Sequence, residues 1–345
     1  MLMAVENGKM VLASSKMKRN HFTCPACSQT VFLRAGSVKM AHFAHAKGSD
    51  CVASEGETRE HLLGKKQLFN WAKRHQYKPV YEVYLPEIKQ RPDLLIKIGR
   101  QTVALEYQCS PISLTRLQER NAGYRKMNIK VWWILGAPYR HRRLSNFKVA
   151  QFTQFIFNRF DLLFWNTTEE RFSYGQQYLK IDFYKKRYSK PWSKQVLMQQ
   201  TKSINRQVME GQAHLQEIVQ QCYQAGHLFV GIPLVGHYLA EQWPSTCNGL
   251  TVWQTQVLLE LEKFQLGQQW SLTDWYDWLD QVGQRQWFLF PCLGSLNQIK
   301  KKYLQQFTLA LQRYNVIAIN QDVSYINLPQ WFKDGTAKIN YIRAL

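Results

Sequence analysis

The sequence predicts a mixed α/β protein built from a cysteine- and histidine-bearing N-terminal segment, a central core in the order αβββαβ, and a mostly helical C-terminal domain. Cys24-x2-Cys27, followed by His42, His45 and Cys51, marks the first part. A helical stretch, three short strands, a second helical stretch and the apolar run at 129–135 mark the second. From about Gln195 onward, apolar residues recur at i, i+3 and i+4 between Gly, Pro and Asn breaks, which marks the third. The expected boundaries are 1–54, 55–140 and 195–345, with a basic, aromatic-rich connecting region over 141–194.

Composition bounds the function. Lys and Arg number 45 against 24 Asp and Glu, a formal charge of +21 over 345 residues. Such an excess attracts polyanions over long range, so nucleic acid is the expected partner. The basic residues are spread through the chain rather than gathered on one amphipathic helix, which disfavours a membrane surface. With 45% hydrophobic and 14% aromatic residues the chain can fill packed cores, and its length calls for more than one of them. No 18-residue apolar run exists, and the first twenty residues lack a signal-peptide core, so the expected location is cytoplasmic. The absence of a Gly-rich phosphate loop disfavours a nucleotide-driven motor.

The seven cysteines are odd in number, with three clustered near the N-terminus, a usage that points to reduced thiols and a metal site rather than to disulfides. Cys24-Pro25-Ala26-Cys27 is a knuckle that lets two thiolates reach one ion. The predicted ligands of a structural, tetrahedral Zn²⁺ are Cys24, Cys27, His45 and Cys51. His42 is assigned to a supporting or core position, with an exchange of His42 for His45 as the alternative.

In the central core the first helix is expected from about Glu57 to His75, with Ser54-x-x-Glu57 as a capping box. At 100° per residue Glu57, His61, Gly64, Leu68, Trp71 and Ala72 fall near one face, which begins polar and becomes core. His61 is a candidate for phosphate contact or proton transfer, and Glu57 for a metal or water ligand as well as a cap. The run 81–85 reads as a strand. The stretch 90–110 then reads as a hairpin, in which Leu94, Ile96 and Ile98 lead into Gly99-Arg100 and Val103, Leu105 and Tyr107 lead out. Period two places Glu106 and Gln108 on one face, and an acid among strand-forming apolar residues costs several kcal/mol unless it is paired or holds a cation. Ser110-Pro111 reads as the cap and first turn of the second helix, reaching Met127, and the apolar run that follows reads as a parallel strand.

Pro92-Asp93, twelve residues, Glu106-x-Gln108 in an αβββαβ frame resembles the PD-(D/E)xK nuclease superfamily, whose core is restriction-endonuclease-like. The resemblance implies Asp93 and Glu106 as ligands of Mg²⁺ or Mn²⁺ and Gln108 at the position where that superfamily usually carries lysine. Glutamine can orient a water by hydrogen bonding but brings no charge. A set of ordered motifs carries a narrower resemblance: Cys24-Pro-Ala-Cys27, VFLRAG at 31–36, His42-Phe-Ala-His45, Glu57-Thr58-x-x-His61-x3-Lys65, Arg91-Pro-Asp93, LEYQCSPIS at 105–113, Arg120-x3-Tyr124 and WWILG at 132–136. Over about residues 1–140 the chain resembles the competence protein CoiA family. That resemblance implies a cytoplasmic, nuclease-like protein promoting recombination of incoming single-stranded DNA during natural transformation, alongside a RecA-type recombinase. The alternative is a non-catalytic mediator on a degenerate nuclease scaffold.

Candidate DNA contacts are Lys65, Arg120 and Tyr124 in the core, where the ordinary reading of the last two is a surface arginine and a tyrosine packed on the sheet. Beyond it, Lys185, Lys186 and Arg187 are interleaved with Tyr184, Tyr188 and Trp192. Such interleaving suits a strand of nucleic acid whose bases stack while its phosphates are neutralised, and equally a solvated linker.

Overall fold

In the computed structural model, which describes residues 1–18, 20–36, 40–49, 51, 58–184, 194–293 and 298–345, the core follows the predicted αβββαβ order. Among the described residues, Met1–Ser145, Gln151–Gln176 and Phe290–Gly294 form one compact unit, and Asn146–Ala150, Gln177–Leu289 and Ser295–Leu345 a second.

The first unit opens with five short strands, β1 (Met3–Glu6), β2 (Lys9–Leu12), β3 (Phe22–Thr23), β4 (Thr30–Arg34) and β5 (His42–His45). They pair in the order β2-β1-β3-β4-β5. Their core is small: Met1, Ala4, Phe22, Cys24, Val31 and Phe43 are buried together, with the rings of Phe22 and Phe43 4.8 Å apart.

Helix α1 (Arg59–Arg74) is capped by the Thr58 hydroxyl, which accepts from the His61 N–H at 3.2 Å. The cap is therefore Thr58 rather than Ser54, and Ser54 and Glu57 lie outside the described residues. Strand β6 is confined to Val80–Tyr81, because Glu82 takes φ +47° and breaks the extended run expected to reach Leu85. The hairpin is as predicted: β7 (Leu94–Ile98) pairs antiparallel with β8 (Gln101–Gln108), Leu94 opposite Leu105, around Gly99 at φ +58°. Helix α2 (Leu114–Lys126) starts later than expected, with Ser113 rather than Ser110 as its cap, accepting from the Arg116 N–H at 3.1 Å. Strand β9 (Lys130–Leu135) then lies parallel to β8.

Residues 137–174, read from sequence within or beside the connecting stretch, contain further regular structure. Helices α3 (Ala137–Arg140) and α4 (Asn146–Phe152) precede a hairpin of β10 (Gln154–Ile156) and β11 (Arg159–Asp161). Strands β12 (Leu163–Asn166) and β13 (Arg171–Tyr174) complete a six-stranded sheet, β13-β12-β9-β8-β7-β6. The Leu162-Leu163-Phe164-Trp165 run explains this, since all four side chains are buried.

β8 sits between two helices, so both its faces are buried and its alternation sorts partners rather than solvent. Val103, Leu105 and Tyr107 join Leu62, Leu68 and Ala72 of α1 in one core. Ala104 joins Tyr124 and Ile129 on the α2 side. Gly64 lets α1 approach closely, because a Cβ there would lie 2.0 Å from the Tyr107 ring. Gly64→Ala is accordingly expected to destabilise this unit by about 1–3 kcal/mol, the overpacking cost exceeding the ~1 kcal/mol gain in helix propensity, as read by denaturant unfolding.

The second unit is mostly helical: α5 (Lys194–Met209), α6 (Gln216–Gln224), α7 (Leu250–Leu261), α8 (Leu272–Gln281), α9 (Gln298–Arg313) and α10 (Gly335–Ala344). A small sheet of β14 (Gln269–Trp270), β16 (Val323–Tyr325) and β15 (Ile317–Ile319), not anticipated from sequence, accompanies them. Trp275 of α8 is fully buried and donates to Thr308 at 2.9 Å. Among the described residues no helix is long and apolar enough to cross a membrane.

Candidate functional site

The knuckle at Cys24–Cys27 is formed by backbone hydrogen bonds: Cys24 N–H donates to Gln29 O at 2.8 Å and Ser28 N–H to Cys24 O at 2.9 Å, with Ser28 at φ +58°. The turn aims both sulfurs at the end of β5. There His45 Nε2 lies 3.3 Å from Cys27 Sγ, and the four donor atoms of Cys24, Cys27, His45 and Cys51 all lie within 4.8 Å of one another. Zn–S and Zn–N bonds of about 2.3 and 2.0 Å in a tetrahedron demand donor separations of this order, so the Cys3His set fits a metal such as zinc. Burial, aided by the charges of Arg91 and the N-terminal amine, lowers the His45 pKa and keeps the imidazole neutral, the form that ligates. His42 instead places Nδ1 2.8 Å from Met40 O.

A second group of polar side chains gathers where α1 crosses the hairpin. Asp93, at the entrance to β7, accepts from the Tyr107 N–H at 2.8 Å and meets His61 Nε2 at 3.0 Å, both through Oδ2. Its Oδ1 lies 3.5 Å from Lys65 Nζ. Lys65 has no exposed surface and donates to Glu82 Oε1 at 2.5 Å, and Glu82 also accepts from the backbone of Leu2 and Met3. Burial works to raise the Asp93 pKa, but the charges of His61 and Lys65 and the hydrogen bonds from His61 and Tyr107 outweigh it and hold the carboxyl well below its usual range. The other face of Tyr107 is equally constrained. Its hydroxyl donates to Glu60 at 2.8 Å, and the ring stacks on His61 at 6.0 Å. Burial, with Glu60 nearby, pushes the adjacent Cys109 thiol up to about 12.

Glu106 turns to the α2 side. Its Oε1 accepts from both Arg120 Nη2 and the Tyr124 hydroxyl, and Arg120 in turn lies over the Trp133 ring at 5.7 Å. Burial lifts the Glu106 pKa, Arg120 opposes it, and Asp93 is close enough to add to the rise. Gln108, at the end of β8, donates to Ser110 O at 2.6 Å.

The structure thus brings His61, Asp93 and Lys65 together, and separately Glu106, Arg120 and Tyr124. Lys65, Arg120 and Tyr124 are not surface contacts: each is buried and engaged with a carboxylate, because an acid enclosed by apolar strands needs a cation or donor of the protein's own. Glu57, Lys185, Lys186 and Arg187 lie outside the described residues. Glu60 and Glu82 were missed by sequence reading. Glu82 had one signal, an acid inside the run Tyr81-Glu82-Val83-Tyr84-Leu85. Glu60 had none beyond its place one turn before Gly64.

Residues 7–54 match the N-terminal domain of competence protein CoiA, and residues 57–215 match its nuclease-like domain. Competence protein CoiA of Bacillus subtilis (strain 168) is 36% identical over 135 residues, 39% of this chain and 36% of that protein. The match therefore spans little more than a third of the relative's length. No solved structure matches the chain.

Proposed function

Because the chain belongs to the competence protein CoiA family, we propose that it acts in the cytoplasm during natural transformation, binding incoming single-stranded or branched DNA and promoting its recombination alongside a RecA-type recombinase. In this reading the β7–β8 hairpin is a PD-(D/E)xK-like centre in which Asp93 and Glu106 hold Mg²⁺ or Mn²⁺, and the Cys3His cluster holds a structural Zn²⁺. The observation that carries it is the placement of two enclosed carboxylates on one hairpin, partly buried Asp93 just before β7 and buried Glu106 on β8, which the Leu94–Leu105 register makes neighbours across the strand pair. Oxygen donors of this kind suit a hard divalent cation.

A bound ion there would polarise a phosphoryl oxygen and lower the pKa of a bound water. The residues around it have separable tasks. Lys65 and His61 keep Asp93 charged, and His61 Nε2, 3.0 Å from Asp93, can hold a proton at the mouth of the site. Arg120 neutralises Glu106 and must yield part of that contact to a metal. Gln108 supplies an amide in place of a cation. One observation favours the non-catalytic alternative: Arg120 and Tyr124 already satisfy Glu106, and the Gln108 amide is turned to Ser110.

The test is incubation of the full chain with labelled single-stranded and branched DNA in Mg²⁺, Mn²⁺ or EDTA. The expected result is cleavage that needs the divalent ion and is lost in Asp93→Asn, with binding in EDTA retained and weakening steeply with salt. Binding without cleavage under any ion would reject the catalytic centre in favour of the mediator, and no binding at low salt would reject both.

A further inference from the structure

The β10–β11 hairpin breaks two rules of a quiet surface at once. Its two-residue turn is Phe157-Asn158, with φ +48° and +59°, a pairing that suits Asn-Gly and strains a bulky residue in the first position. Phe157 is nevertheless 65% exposed and Phe155 52% exposed, so burial does not explain either ring. Phe157 touches Trp132 and Tyr174 only edge-on, at 6.1 and 6.3 Å, and Phe155 leans on its cross-strand partner Phe160 at 5.3 Å.

The base of the hairpin is fixed as firmly as its tip is bare. Gln154, 2% exposed, pairs with Trp133 through both amide atoms, accepting from Trp133 N–H at 2.8 Å and donating to Trp133 O at 2.7 Å. Asp161, fully buried, accepts from the N–H groups of Leu162 and Gly175 and from Gln176. The hairpin's one acid is thereby withdrawn from the surface. Its one cation is not: Arg159, about half exposed, bonds Asp161 at 3.0 Å and stacks over Tyr174 at 4.7 Å. Exposed Lys130 lies on the same face of β9 as Trp132.

Rigid support, solvent-facing rings and cations without surface acid are complementary to unpaired bases on a phosphate backbone. We propose that the β10–β11 hairpin is a stacking platform for single-stranded DNA, with Phe155 and Phe157 receiving bases and Arg159 and Lys130 the adjoining phosphates. This rests on the DNA-binding reading above and names where a strand is held. The strained Phe157 is then explained by what it contacts, since asparagine would suit the turn better and stack worse.

The test measures fluorescence anisotropy of a labelled single-stranded 20-mer and its duplex with the full chain, on the order of one to a few site lengths for such a platform. Phe155→Ala and Phe157→Asn are each expected to weaken single-strand binding about tenfold, equivalent to ~1.4 kcal/mol, and to leave duplex binding unchanged. Phe155→Tyr should bind as the parent does, and Phe157→Asn should melt no lower than the parent, which separates lost stacking from lost folding. Parent-like single-strand binding by Phe155→Ala and Phe157→Asn would overturn the platform while leaving the DNA-binding reading intact, and would give the aromatic surface to a protein partner. Failure of the parent to bind either DNA would overturn both.

Discussion

Cys24→Ser is expected to lose about one zinc per chain and to unfold the N-terminal five-stranded sheet while the six-stranded sheet persists. The reason is the size of the cores. The N-terminal sheet buries together only Met1, Ala4, Phe22, Cys24, Val31 and Phe43, and strands of two to five residues contribute few ladder bonds. Metal binding in comparable small sites supplies about 10–16 kcal/mol of apparent folding free energy, far more than such a core can. Elemental analysis of the parent and the variant, with amide hydrogen exchange across β3–β5, reads the effect directly. Zinc-free parent protein, or unchanged protection in the variant, would remove the metal from the account of this segment.

How much of this was legible in the chain depends on how local each cause is. The hairpin could be read because two-residue periodicity and Gly99 act within a few positions, and the crossover to β9 because a cap, a helical repeat and an apolar run follow one another. The Cys3His cluster that could hold a metal was legible because cysteine spacing is itself the geometry. The carboxylate partners of Lys65, Arg120 and Tyr124, all three read as candidate DNA contacts, were not legible because they are distant in sequence: Glu82 is 17 residues from Lys65, and Glu106 is 14 and 18 residues from Arg120 and Tyr124, while the packing of Tyr124 on the sheet agrees with its ordinary reading. Nothing in a positively charged helix announces that one lysine turns inward. Glu82 was hidden for the opposite reason, since Tyr81-Glu82-Val83 alternates like a strand while its backbone adopts a left-handed turn. Ser110 and Ser113 are equally plausible caps by composition, and only the onset of helical geometry at Leu114 distinguishes them. The small sheet of the second unit has strands of two or three residues, too short for any period to register.

Lys65→Met is expected to destabilise the first unit by about 3–5 kcal/mol, because it leaves the Glu82 carboxylate, 1% exposed, without its cation. Glu82 retains the Leu2 and Met3 N–H groups, so the charge is not abandoned altogether, and Glu82→Gln in the same background should restore about 2 kcal/mol as the coupled part of the loss. The same lysine is 3.5 Å from Asp93. With its folded-state pKa depressed, Asp93 contributes stability that is present above its unfolded value, near pH 4, and is lost as pH falls through the depressed folded value. Burial already pulls against that depression; without Lys65 only His61 and the Tyr107 N–H oppose it. The acid limb of unfolding should therefore move to higher pH in Lys65→Met and more so when His61→Ala is added, as followed by urea titrations at pH 3 to 7. An acid limb unmoved by either change would mean that neither cation holds Asp93 charged, and the electrostatic link between α1 and the hairpin would fail with it.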